Sequence, residues 1–431
     1  MPTTLAEVLA EERVEFSELE QSYSPVLNLV NVLIGVIPNC DPYLEIWPPG
    51  FRTYNLIVPN FLNLPHMLLG RGAPKDIVGL AIYASSRAAD CMYCSAHTCS
   101  FALRRGSSAG AVTGESRTAG EAAAVAVAEA LSTIPHHYRP ELGRELQRHF
   151  SPSDAEWIVM GVAMMGFLNK FMDAVGVELE PEAIDDVSDL IGPTGWSIGQ
   201  HGWNGVGNET GGGDGNGGSD HDGNTDDDDL PPTDSLATAL QVIRNVPGAI
   251  RLERRWMAGL PKDPVLLRRH ITDTYGFDEP LLTTLGHART RRALATVLRH
   301  NLDSTQSEVG IGLKALTGLV FAHHARNHHL IAQSEQLANR SGLSRSVIES
   351  AAPYRPDAPD ADLAKLDDRT RTALAVAFQM APSPAKVDDA TAEAADRHLS
   401  PSEVVEIAVW ISVLQLIHRL TIYYGLDEHP E

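Results

Sequence analysis

Apolar positions along this chain recur at helical rather than strand spacing. Ala155 to Val175 and Val404 to Tyr424 are almost continuously apolar, too hydrophobic all round to face solvent, and glycines suited to a C-cap follow them, Gly176 and Gly425. Each is preceded by a serine with an acid three residues on, Ser151 with Asp154 and Ser400 with Glu403, the pattern of a capped helix start. Ile77 to Ala89 is rich in alanine, lacks proline and predicts another helix. Period-two alternation is scarce everywhere. The pattern predicts an all-α fold.

These segments recur in order. Phe150-Ser151-Pro152-Ser153-Asp154 returns as Leu399-Ser400-Pro401-Ser402-Glu403, and from there Asn169-Lys170 meets His418-Arg419 and Gly176-Val177 meets Gly425-Leu426 without a gap. The stretch after Glu121 matches the stretch after Thr370 at the same offset. Upstream, Gly79-Leu80 pairs with Gly318-Leu319 and Arg87 with Arg326 at a different offset, so one loop differs in length. Several blocks repeated in order predict one duplicated domain, giving two similar helical domains. On this reading residues 1–45 are an N-terminal helical extension, 46–190 the first repeat, 191–235 a linker and 236–431 the second repeat.

Composition sharpens the boundary. From about Ser197 to Ser235 the chain is dominated by Gly and Asp, with runs at 211–213 and 226–229, and buries too little apolar surface to offset chain entropy. A flexible Gly/Asp-rich linker is expected there; a calcium loop is the alternative, although Asp214 to Asp222 lacks the EF-hand spacing and no Glu closes it. The formal net charge of −22, much of it in this stretch, argues against nucleic acid or an anionic membrane as partner. No run of about 20 apolar residues stands out, so no membrane span is expected. Met1 to Leu19 is acidic and unlike a signal peptide, which with the low cysteine count predicts a cytoplasmic protein.

Three of the four cysteines lie close together, Cys91, Cys94 and Cys99, and Cys40 stands apart. On a helix Cys91, Cys94 and His97 share one face. Two thiols at that spacing can close a disulfide, a helix N-terminus (capped here by Asp90) favours a thiolate, and a histidine one turn on can take its proton. The set therefore holds a nucleophile, a resolving thiol and a base, with Cys94, Cys91 and His97 as the candidate catalytic residues. Half of a zinc site and inert buried cysteines remain as alternatives; a structural zinc needs further ligands at a spacing the chain does not supply. No metal or cofactor is expected.

Cys91-Met92-Tyr93-Cys94 with His97, Gly106 and the preceding Arg87 resembles the alkylhydroperoxidase D / carboxymuconolactone decarboxylase superfamily, as do Val58-Pro59-Asn60-Phe61 and Phe167 to Asp173. The likeness covers about 54–180 and again about 309–426. It implies an alkylhydroperoxidase D-like fold in both repeats, with Cys94 attacking, Cys91 resolving, and a His and a Glu relaying protons. Two positions depart from the pattern: Thr98 stands where the family histidine falls, and Val78-Gly79 where its glutamate falls, Asp76 being the nearest acid. The second repeat aligns Leu330 and Gln333 with the cysteines and so holds no thiol; His324 and His328, at i and i+4 among His323 and His329, form a candidate metal or acid–base pair beside the commoner reading of packing histidines. The expected function is thiol-dependent reduction of a small peroxide, or thiol–disulfide exchange with a redox partner protein. The alternatives are a non-redox enzyme of the carboxymuconolactone decarboxylase branch, with His97 or the His323–His329 cluster moving protons on a small lactone or acid, or a non-catalytic binding or assembly role. A homo-oligomer is expected.

Overall fold

Helices supply all the regular structure among the described residues of the computed structural model, which are 4–202, 231, 233, 236–356 and 362–427. In the first half the principal ones are α1 (Phe16–Ile34), α2 (Pro48–Phe61), α3 (Lys75–Ala88), α4 (Met92–Arg104), α5 (Ala119–Ser132), α6 (Pro140–His149) and α7 (Pro152–Val175). In the second half the corresponding helices are α8 (Leu236–Trp256), α9 (Ala288–Leu302), α10 (Ile311–Ala325), α11 (His328–Arg340), α12 (Asp368–Met380), α13 (Asp389–His398) and α14 (Pro401–Tyr423), with a further helix, Pro264–Tyr275, between α8 and α9. The expected caps form: Ser151 Oγ accepts from the Asp154 N–H, and Ser400 and Glu403 complete a reciprocal capping box. Gly176 ends α7 in the left-handed conformation.

Like elements of the two halves pack on each other, α1 on α8, α2 on α9 and α7 on α14. Equivalent surfaces meeting in this way form the pattern of a two-fold interface, built here within one chain. Gly166 lets α7 and α14 approach, since a Cβ there would lie 3.0 Å from Arg419 Cδ and 3.1 Å from the Gln415 carbonyl oxygen. The buried apolar side chains form one continuous cluster through both halves. α7 and α14 are long and apolar enough to cross a membrane, against the expectation that no such run exists. Their most apolar windows are 94% and 100% buried inside the protein itself, so that surface is already covered.

Three boundaries differ from expectation. Ile191 to Gly202, assigned to the linker, is packed chain in which Ile191, Trp196 and His201 are buried; the linker stretch from 203 to 230, with its calcium-loop alternative, lies outside the described residues. The expected N-terminal extension contributes α1 to the pairing with α8 and carries buried Cys40 and Asp41 at the start of a short helix, Cys40–Leu44. The upstream register of the repeat also shifts. α3 starts at Lys75 and α10 at Ile311, the left-handed residue after each helix is Asp90 or Arg326, and the caps that follow are Cys91 and Asn327. Cys91 therefore corresponds to Asn327 and Cys94 to Leu330. Dipeptide matches such as Gly-Leu arise by composition, whereas the left-handed turn fixes where a helix begins.

Candidate functional site

The break between α3 and α4 sets the geometry. Asp90, expected to cap α4, instead takes φ +58°, and Cys91 is the cap: its Sγ accepts the Cys94 N–H at 3.3 Å. Ser95 Oγ–H and Thr98 Oγ1–H donate back to the Cys91 and Cys94 carbonyls, so the first turn is held by its own side chains. Gly79 brings α4 hard against α3, because a Cβ at that position would fall 2.8 Å from Ala102 Cα. Both sulfurs are buried, Cys91 fully and Cys94 to within 3%.

His97, one turn beyond Cys94 on α4, meets Glu180, whose carboxylate Oε2 lies 2.7 Å from His97 Nε2. Glu180 follows the turn out of α7 and also accepts from Tyr93 Oη at 2.9 Å and from the Asn39 N–H at 2.5 Å. Burial pushes this carboxyl up, but the His97 charge and the hydrogen bonds from His97 and the Asn39 N–H outweigh it and hold Glu180 below the usual range. An ionised carboxylate only accepts, so His97 Nε2 carries a proton and donates it to Glu180. His97 Nδ1 is buried and has no hydrogen-bond partner among the described residues.

On the other side of the α4 start, Cys91, Asp173 and His201 gather with their ligand atoms within 4.8 Å of one another. Tyr93 separates the two groups, its ring 4.6 Å from that of His97 and 5.7 Å from that of His201. Arg419 arrives from α14, donating to Ser85 Oγ at 2.7 Å and to the Val162 carbonyl at 2.6 Å. Burial pushes both thiols up. The hydrogen bond with Cys91 and the Arg419 charge draw Cys94 back, while that same bond and Asp173 push Cys91 further up. Cys40, expected to stand apart, lies near enough for Cys94 and Glu180 to act on its charge; burial pushes its thiol up as well. Beside it, Asp41 is fully buried with neither carboxyl oxygen hydrogen-bonded among the described residues, and burial raises it far above the usual range.

Of the three expected residues, Cys91 and Cys94 meet through the bond from the Cys94 N–H to Cys91 Sγ, while His97 stands one turn further along α4 against Glu180. Glu180, Asp173, His201, Cys40 and Arg419 join them unannounced. The second half repeats the frame without the thiols. Asn327 Oδ1 caps α11 by accepting from the Leu330 N–H at 2.8 Å, Gln333 stands where His97 does, and His329 replaces Tyr93, with Glu279 at 3.4 Å. Arg326 in the left-handed conformation ends α10, so His324 and His328 fall on different helices and the expected i, i+4 face does not form. A wide cleft lined by Arg52, Arg255, Arg299 and His300 is not lined by either cysteine of the pair. Comparison with protein-family models, curated proteins and solved structures finds no match to this chain.

Proposed function

We propose that the protein is a thiol–disulfide oxidoreductase acting on a small peroxide or disulfide, with Cys94 as the attacking thiol and Cys91 as the resolving one. The observation that carries this reading is the unpartnered His97 Nδ1, one helical turn from Cys94 and oriented by Glu180 through the opposite ring nitrogen. A base held by a third group is the general form of an activated nucleophile. The resemblance of Cys91-Met92-Tyr93-Cys94 and His97 to the alkylhydroperoxidase D motif supports the same roles, and Glu180 supplies the carboxylate that the sequence lacks at the family position.

In this reading His97 Nδ1 takes the Cys94 proton. The sulfur attacks one peroxide oxygen, the O–O bond breaks, and the leaving alkoxide or hydroxide takes that proton back from His97. Cys91 then attacks the Cys94 sulfenic acid, the S–S bond forms and water leaves. A dithiol partner returns two electrons and two protons. The segment 188–202, tied to α4 by the Trp196 Nε1–H bond to the Met92 carbonyl at 3.0 Å, lies against this end of the helix.

Reduced protein treated with hydrogen peroxide should lose two thiols per chain and yield a Cys91–Cys94 peptide link. The Cys94→Ser protein should form none, and Cys91→Ser should stop at a sulfenic acid that dimedone traps. Unchanged turnover in Cys94→Ser would end the proposal. Burial of both sulfurs favours a second reading, an assembly role with inert thiols; it predicts that neither cysteine reacts with thiol reagents until the protein unfolds.

A further inference from the structure

His201 is oriented through both ring nitrogens. Its Nδ1 lies 2.7 Å from the Val177 carbonyl oxygen, which only accepts, so Nδ1 carries a proton. Nε2 faces the Asp173 carboxylate, Oδ1 at 3.2 Å, and one shared proton satisfies that contact. Cys91 Sγ lies within 4.8 Å of the His201 and Asp173 ligand atoms, so a cation that takes the place of that proton and of the thiol proton meets three donors at once. The residues are buried to 1%, 4% and 0% exposure. The same accounting excludes a Cys–His–Asp nucleophilic triad, which needs one imidazole nitrogen on the carboxylate and the other facing the sulfur. Here the second nitrogen is spent on a backbone carbonyl.

We infer that Cys91 Sγ, Asp173 and His201 Nε2 form a binding site for a divalent cation of the zinc class. Sulfur, imidazole nitrogen and carboxylate oxygen together match a borderline-soft ion and not magnesium or calcium. A histidine that ligates through one nitrogen and gives its other N–H to a backbone carbonyl has the usual orienting contact of a metal ligand, supplied here by Val177. Gln200 Nε2 donates to the Asp173 carbonyl at 2.9 Å and fixes the Gly199–His201 turn against α7. Tetrahedral zinc places its ligands about 3.4–3.8 Å apart, so a modest contraction closes the set. Three protein ligands leave the fourth position for water. Binding replaces the Cys91 thiol proton with the metal, and a metal-held Cys91 cannot resolve Cys94.

The test is cobalt(II) titration of the reduced, chelator-treated full-length chain. One cobalt per chain is expected, with the visible bands of a tetrahedral ion and a sulfur-to-cobalt charge-transfer band in the near ultraviolet. Cys91→Ser should lose the charge-transfer band and Cys94→Ser should keep it. His201→Ala and Asp173→Asn should each weaken binding at least ~100-fold with helical circular dichroism intact. Absence of the bands in the wild type, equal affinity in His201→Ala, or a band that follows Cys94 and not Cys91 would overturn the site. Thiol oxidation by peroxide, measured on the same chelator-treated protein, keeps the two readings apart. Oxidation without cobalt uptake ends the metal site alone, and cobalt uptake without oxidation ends the redox reading alone.

Discussion

A carboxylate 83 residues downstream of His97 fixes the imidazole Nε2 as a donor. Replacing it by an amide removes the charge and frees the tautomer, so Glu180→Gln should slow peroxide-driven thiol loss by ~10²-fold or more, the scale of a general base. The helix content should be unchanged, and stopped-flow thiol titration checks the rate. In the second half, burial pushes His329 down, but the hydrogen bond and charge of Glu279, with Asp427 and Asp278, pull it up by more. Its folded pKa thus lies above 6.5, and the pair's contribution to stability is complete below that value and fades as pH rises through the folded pKa. The stability difference between wild type and His329→Gln, read from urea midpoints, should shrink as pH rises across that window. The spacing of Cys91, Cys94 and His97 was legible, but Cys91 meets Cys94 as the extended cap of α4 and not as a residue on its face. Glu180 and His201 were not legible, because only the path of the chain after α7 delivers them, and His201 fell inside the stretch that composition assigned to a linker.

Helix starts and ends are local events, which is why Ser151, Ser400 and Gly176 could be read in advance. The start of α4 could not, because a cysteine sulfur does there what an aspartate or serine oxygen usually does, and Asp90 is turned left-handed to permit it. The contact between α3 and α4 has a sharp consequence. Gly to Ala inside a helix ordinarily stabilises by up to ~1 kcal/mol. At Gly79 the added methyl would meet backbone at 2.8 Å, and such overpacking costs about 1–3 kcal/mol. The clash should win. Gly79→Ala is expected to lower stability by roughly 1–2 kcal/mol in urea denaturation, and by shifting α4 to slow closure of the Cys91–Cys94 disulfide.

At the scale of the whole molecule the all-helical character was legible and the pairing of the two halves was not, since an interface between two apolar helices leaves no mark that distinguishes it from a core. Gly166 is where that interface is tightest. Gly166→Val should destabilise the protein by about 1–3 kcal/mol as a single cooperative transition, because α7 and α14 belong to one cluster; two separate transitions in calorimetry would contradict this. The cations at corresponding places behave reciprocally. Arg419 crosses to Ser85 and Val162 in the first half, and Lys170 crosses to the Ala381 and Pro382 carbonyls in the second. A gene cut short after residue 202 would still encode every sulfur and imidazole of the site. Its product would nonetheless leave a hollow where the guanidinium belongs and an ammonium with nothing to hold. Such a fragment should therefore fail to fold alone, which its circular dichroism and solubility would check.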